Sequence, residues 1–316
     1  MKKNELKASI LLTLAAVIWG FAFVAQRVGA QYTGSFTYNG IRFALGSFSL
    51  LPLMLIQRKK QNKSKGQGIW IENSAGDNSL LKAGILAGFL LFAAAGLQQI
   101  GLKDTSAGKA AFITGFYIIL VPAFGIFLGH RTGIRIWAAA IIAIAGLYLI
   151  SVEENFTISR GDFLVFLCSF FFSAHILLIN QYSQRLDTLK LSFVQYMTCS
   201  VLSLITALFV EEISLTDILN AAIPILYGGV FSVGIAYTLQ VVGQRHARAS
   251  HAAIIMSLES VFALAGGIII LNETMNWKGY TGCILMLSGV LISQLGGRKA
   301  INVLSQTKRY MNTKHV

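Results

Sequence analysis

One acidic residue lies deep inside an apolar segment. Glu259 sits in the stretch ASHAAIIMSLESVFALAGGIIILNE, from Ala249 to Glu273. Wound as a helix at ~1.5 Å per residue, that stretch is long enough for a hydrocarbon core of about 30 Å. A charged side chain at mid-membrane costs ~2.5–3.5 kcal/mol on insertion scales, so it is expected to face a partner or a water-filled cavity. A carboxyl so placed can bind a cationic group or exchange a proton during a transport cycle. Its structural alternative is a fixed hydrogen bond between helices. Arg42, about two turns into the second apolar segment, is the matching cation. It could attract an anionic substrate group, pair with Glu259, or snorkel outward as an anchor.

Other candidates surround these two. Trp19, Phe23, Tyr117 and Phe262 lie on the segments that carry the sequence motifs described below. An apolar pocket with a few placed polar groups suits small organic ligands, while ordinary helix packing accounts for any single aromatic residue. Gln98, Gln99, His175, Gln195, Tyr237 and Ser257 add hydrogen-bonding capacity inside apolar segments, and helix–helix hydrogen bonds would explain most of them. His175 belongs to the residue type that switches charge near neutral pH, although a neutral, hydrogen-bonded core histidine is the plainer reading. The candidate substrate-binding or coupling set is therefore Glu259, Arg42, Trp19, Phe23, Tyr117, His175, Gln98, Gln195, Ser257 and Phe262.

The sequence holds no HExxH, no GxSxG and no paired intramembrane carboxylates, so no catalytic or metal-binding set is expected. SAGKA (106–110) is a false phosphate loop. Lys103 stands where the first glycine belongs, Ala110 stands where Ser or Thr belongs, and no strand precedes it. No cofactor is expected, and transport would be secondary rather than driven by ATP hydrolysis. An enzyme would need a clustered set of reactive groups, and a sensor would need an output module. The tail after 296 is short, basic and polar and fits a lipid-headgroup contact better.

These residues must be positioned by membrane helices. Of 316 residues 55% are hydrophobic and 12% are charged, against about 25% charged in soluble domains. The net charge of +13 does not indicate nucleic acid, because the basic residues lie between apolar segments and at the ends. Cys168, Cys199 and Cys283 all lie in apolar segments without CxxC spacing, so neither a disulfide framework nor a zinc site is expected. No cleavable signal peptide is expected, because the apolar run after Lys7 is too long for one. Ten spans are expected, at 8–27, 36–56, 81–101, 108–129, 134–151, 161–180, 191–210, 218–240, 249–271 and 278–295. Each must be a helix to satisfy its backbone in lipid. Pro122 predicts a kink in the fourth. Gly84/Gly88 and Gly125/Gly129 have the spacing that permits close helix approach.

Most of the 26 Lys and Arg residues fall on one side when the N-terminus is inside, and the outer loops carry Glu153, Glu154, Asp162, Glu211, Glu212 and Asp217. Both termini are then cytoplasmic. The inner loop 57–80 is the one sizeable soluble stretch, and it is mainly polar.

The chain also repeats itself. AVIWGFAFVAQR (16–27) resembles SFFFSAHILLIN (169–180) at an offset of 153, which sets Arg42 opposite Gln195. GLKDTSAGKAAFI (101–113) matches GQRHARASHAAII (243–255) at an offset of 142. Five helices per half is an odd number, so the halves must run in opposite senses, and a substrate site is expected at midplane between them.

On these residues the chain resembles the drug/metabolite transporter superfamily, and within it the EamA family of ten-helix permeases, over residues 7–296. WGFAFVAQR looks like the family's opening helix and GIRFALGSF like its second-helix Arg-Phe motif. SLESVFALAGGIIILNE looks like its closing Leu-Glu-Pro-Val run ending in Gly-Glu, with Ser260 in place of the proline and Asn272 in place of the glycine. The first repeat has GHR (129–131) where the closing acid would stand. The resemblance implies an all-α integral membrane protein with ten transmembrane helices in two inverted five-helix repeats. The repeats span 1–151 and 152–296 and are followed by a cytoplasmic basic tail at 297–316. It further implies a bacterial inner-membrane permease, an exporter of small metabolites, amino acids or drugs. The expected partners are a small-molecule substrate, the lipid bilayer and, as candidate coupling ion, the proton.

Overall fold

Apolar chain in lipid can satisfy its backbone amides only within each segment or in a closed barrel, and every regular element among the described residues is helical. The computed structural model describes residues 3–66, 77–129, 132–151, 159–271 and 277–293. The first half holds α1 (Lys3–Gly29), α2 (Ser35–Ser49), α3 (Leu51–Gly66), α4 (Asp77–Gly101), α5 (Ala107–Thr114), α6 (Tyr117–Phe127) and α7 (Ile134–Ser151). The second holds α8 (Arg160–Tyr182), α9 (Thr188–Val210), α10 (Leu215–Asn220) and α11 (Ala222–Leu226). A π-helical stretch (Tyr227–Tyr237), α12 (Thr238–Gln244), α13 (Ala249–Met256) and α14 (Glu259–Leu271) follow, and α15 spans 277–293. Among the described residues, eight helical runs are long and apolar enough to cross a membrane, and α7 contributes a shorter apolar run, Ile134–Leu149. The tenth expected segment corresponds to α15. Phe127, Ile134 and Phe209 are 88, 82 and 84% exposed, as a lipid-facing surface requires.

Several of these runs are broken, and the breaks decide where side chains point. The fourth expected span opens at Gly115–Phe116, where Ile118 N donates to Gly115 O at 3.0 Å, and not at Pro122, which lies inside α6. A proline is not needed for this. The same opening recurs at Ser257–Leu258, where Ser260 N donates to Ser257 O at 3.1 Å and no proline is present. The second span bends at Leu50, with Pro52 at the second position of α3, where a missing N–H leaves no partner wanting. From there α3 continues to Gly66, its run from Leu53 to Gln61 made mostly of good helix formers, so the inner loop expected from 57 starts as helix. Gln57 Nε2 donates to Asp187 Oδ2 at 2.7 Å, tying α3 to the start of α9.

Glycines place the helices. Cβ atoms on Gly84 and Gly88 would run into α9, at Val194 Cβ (2.7 Å) and Gln195 O (2.7 Å), so this pair does permit close approach. Gly129 does not share that role. It has φ +76°, a Cβ added there would meet nothing within 4 Å, and it serves as the left-handed stop after α6. His130, Arg131, Glu153, Glu154, the 67–76 stretch, Asn272–Glu273 and the tail 297–316 lie outside the described residues.

The helix pairings come in sets with the halves exchanged. α4 packs on α8 as the π-helical stretch and α12 pack on α1. α4 packs on α9 as the π-helical stretch packs on α2. α5 and α6 pack on α8 as α13 and α14 pack on α1. α2 meets its own counterpart α9, and α5–α6 meets α13–α14.

Candidate substrate cavity

The two mid-span openings set Tyr117 at the first position of α6 and Glu259 at the first position of α14. These positions are 142 apart, so they are equivalent in the two halves. The side chains meet: Tyr117 Oη donates to Glu259 Oε1 at 2.9 Å. A carboxylate at a helix start also sits in the favourable end of the helix dipole.

Arg42 is 2% exposed. Its Nε donates to Asn39 Oδ1 at 2.9 Å, and Asn39 Nδ2 donates to Ala95 O at 2.9 Å, which anchors the pair to α4. The guanidinium carbon lies 5.3 Å from the Tyr38 ring centre and 5.1 Å from that of Phe43, within cation–π range. Its two terminal amino groups make no hydrogen bond among the described residues. It does not pair with Glu259: no nitrogen–oxygen approach of 4.0 Å or less joins them.

Both charges line one central cavity, together with Trp19, Phe23, Tyr117 and Gln98. Six of the ten candidates are thus brought together. On α1, Trp19, Phe23 and Gln26 are spaced as one helix face. Trp19 Nε1 donates to Ser232 O at 3.3 Å and its ring meets Tyr237 edge-on at 4.8 Å. Gln98 Nε2 donates to Thr114 Oγ1 at 3.1 Å. The wall is completed by Phe172, Ile176, Ser232, Tyr237, Gln240 and Met256. Most of the lining falls into repeat-equivalent couples: Trp19 with Phe172 and Phe23 with Ile176 at the 153 offset, Gln98 with Gln240 and Thr114 with Met256 at the 142 offset. The cavity leaves about 40 Å³ for the centres of water-sized molecules, room for a few waters at about 10–15 Å³ each.

The remaining four candidates lie elsewhere. His175 Nε2 and Gln195 Oε1 are 2.8 Å apart, both fully buried, with the His175 ring edge-on to Tyr237 at 6.3 Å. Gln195 is the counterpart of Arg42, so that position faces the cavity in one half and a histidine in the other. Ser257 Oγ donates to Ile254 O at 2.8 Å, back to the last turn of α13, and Phe262 packs over Gly20. Sequence reasoning missed Gln26, Thr114, Phe172, Ile176, Ser232, Gln240 and Met256. The side-chain carbonyl oxygens of Gln26 and Gln240 find no hydrogen-bond partner among the described residues, although the residues are 4 and 2% exposed. Among the described residues no group of three or more His, Cys, Asp or Glu is arranged to hold a metal.

The two ends of the bundle differ. At one, Arg27 donates to the carbonyls of Leu102 and Lys103. Nearby, Asp162 accepts from Thr105 Oγ1 (2.7 Å) and Lys109 Nζ (2.6 Å) and forms a capping box with Ser159. At the other, Asn180, the counterpart of Arg27, donates to the carbonyls of Gln244 and Ala247 at 3.1 and 2.7 Å. Beside it opens a hollow of about 630 Å³ on the same measure, bordered by Arg245, His246, Arg248 and His251.

A model of the EamA-like transporter family matches residues 6–152 and again 159–295. The chain belongs to the EamA-like transporter family. It is a multi-pass membrane transporter, and the two family units divide it where the repeat offsets do. Each couple across the cavity therefore takes one residue from each unit. The chain is 30% identical over 297 residues to an uncharacterized transporter of Archaeoglobus fulgidus, covering 92% of this chain and 87% of that one. It is 21% identical over 294 residues to the uncharacterized transporter YoaV of Bacillus subtilis, covering 91 and 96%. A solved crystal structure shares the EamA-like fold, with a TM-score of 0.73 at 16% identity over 92% of this chain and 97% of the other.

Proposed function

We propose that this protein is a secondary transporter that exports small polar metabolites, amino acids or related organic compounds, across a bacterial cell membrane. Two inverted five-helix halves, 1–151 and 152–296, alternate access to the central cavity. α7 and α15 complete a set of ten spans, and both termini are cytoplasmic. The observation that carries the reading is the cavity itself, a small, largely aromatic space lined by repeat-equivalent residues of both halves, in which Arg42 and Glu259 are both buried. The exchange-related helix pairings support the inverted relation. With the N-terminus inside, the Arg27 and Asp162 contacts lie at the outer end and the 630 Å³ hollow at the cytoplasmic end, the arrangement of a protein closed outward.

Glu259 is the proposed coupling group, exchanging a proton as the cavity changes sides. Multidrug efflux is the second reading. The aromatic lining and Glu259 favour it, and Arg42 disfavours a lipophilic cation. To test coupling, the protein is reconstituted in vesicles and metabolite flux is followed with and without a pH gradient. The proposal predicts gradient-driven flux that Glu259→Gln abolishes or makes independent of pH. Unchanged, still pH-dependent flux in that variant would remove Glu259 from the mechanism.

A further inference from the structure

One stretch of chain occurs in both halves and is finished differently in each. In the first half Lys103, Asp104, Ser106 and Lys109 lead into α5. Ser106 Oγ caps that helix by accepting from Lys109 N, and Lys109 Nζ pairs with Asp162 at 2.6 Å. At the 142 offset the second half has Arg245, His246, Arg248 and His251 leading into α13. The cap position there is Arg248, which makes no capping hydrogen bond. The first-turn N–H groups of α13 therefore lack the partner that α5 has. Arg245 and Arg248 form no ion pair among the described residues. All four residues border the 630 Å³ hollow, and no acid among the described residues borders it. Glu5 on α1 lies near enough to act on His251 but stands outside that wall.

Membrane topology alone accounts for a basic loop at one face. It does not account for a hollow, an uncapped helix start beside it, or a buried oxygen left over in its wall. That oxygen belongs to Asn180, which is 8% exposed and borders the hollow. Asn180 Nδ2 is taken by the carbonyls of Gln244 and Ala247, and Oδ1 has no partner among the described residues. The wall thus offers positive charge and N–H donors together with one acceptor. A bare inorganic anion would leave that acceptor unmet. We infer that the hollow binds an organic phosphate whose body carries hydroxyl groups. The phosphate lies against Arg245, Arg248 and the start of α13, and a hydroxyl donates to Asn180 Oδ1. Arginine forks and helix starts both suit phosphate oxygens. Two sources share this chemistry: the headgroup of phosphatidylglycerol, since basic pockets between membrane helices hold lipid headgroups, and a soluble glycerol phosphate. No residue borders both this hollow and the central cavity, so the site is separate from that of the cargo and does not depend on which cargo crosses.

Thermal stabilisation of the purified full-length protein in a neutral detergent reads binding, because a ligand of the folded state raises Tm by mass action. The probes are phosphatidylglycerol, phosphatidylcholine, glycerol 3-phosphate, inorganic phosphate and glycerol, all at one ionic strength. Phosphatidylglycerol is expected to bind roughly tenfold or more tightly than phosphatidylcholine, or glycerol 3-phosphate than both inorganic phosphate and glycerol. The first result assigns the site to the bilayer and the second to a soluble phosphate. Replacing Arg245 and Arg248 together with Gln should weaken the bound probe by roughly tenfold or more. Replacing Arg58 and Lys190 together with Gln removes the same charge outside the hollow and should leave binding within about twofold. An unaltered ligand-free Tm and elution profile show that each variant is folded. If neither preference appears, the inference is overturned. It is equally overturned if binding survives loss of Arg245 and Arg248, or falls as far in the Arg58 and Lys190 variant.

Discussion

Tyr117 and Glu259 hold equivalent places in the two halves and touch each other across the cavity. Replacing Tyr117 with Phe removes one hydrogen bond to a buried carboxyl and little else. Such bonds are worth about 1.5–3 kcal/mol, so transport in reconstituted vesicles should slow by roughly tenfold or more while the protein stays folded. A rate within twofold of wild type would show that the contact is incidental. The charged residues were legible in the sequence because charge inside an apolar segment is conspicuous. Glu259, Arg42 and the aromatic residues of α1 were found for that reason or for their place in the motifs. Gln26 and Gln240 were not. Gln26 stands beside Arg27 at a helix end, where polar residues are unremarkable. Gln240 stands at the predicted end of a span that the structure carries on to Gln244. His175 and Gln195 stand among the candidates, although a hydrogen-bonded core histidine is the plainer reading, and the structure pairs them with each other.

At the scale of elements, helix contacts depend on a few positions without side chains and a few polar ties. A Cβ on Gly20 would meet Ala263 N at 2.7 Å and Phe262 C at 2.6 Å, both backbone atoms that cannot turn aside. Gly20→Ala is therefore expected to separate α1 from α14 and cost about 1–3 kcal/mol, read as a lowered Tm in detergent. An unchanged Tm would mean that the two helices are not so closely packed. Asp162 completes the capping box of α8 by accepting from Ser159 N, and accepts from Thr105 and Lys109. Asp162→Ala should cost roughly 2–4 kcal/mol, and Asp162→Asn less, since an amide oxygen still caps the helix. Equal melting of all three proteins would contradict this. Helix existence followed from hydropathy, but the interruptions did not. Pro122 drew the kink to itself, whereas the chain opens about two turns earlier, at the point it also opens in the proline-free half. The π-helical stretch Tyr227–Tyr237 leaves no mark in hydropathy, yet it turns Ser232 and Tyr237 toward the cavity.

For the whole molecule, the internal offsets of 153 and 142 were the most informative feature of the sequence. They link residues that the structure brings to one cavity, and they link Arg27 to Asn180 at opposite ends. Function follows from this relation only if the cavity opens to each side in turn. Thr114 and Met256 are equivalent positions that face the cavity from the two halves. With Cys168, Cys199 and Cys283 replaced, a single cysteine can be placed at either position in vesicles and treated with a membrane-impermeant thiol reagent from one side at a time. The account predicts that each cysteine is labelled from both sides, more slowly in the presence of a transported solute. Labelling of both positions from one side alone, at a rate no solute alters, would contradict alternating access through this cavity.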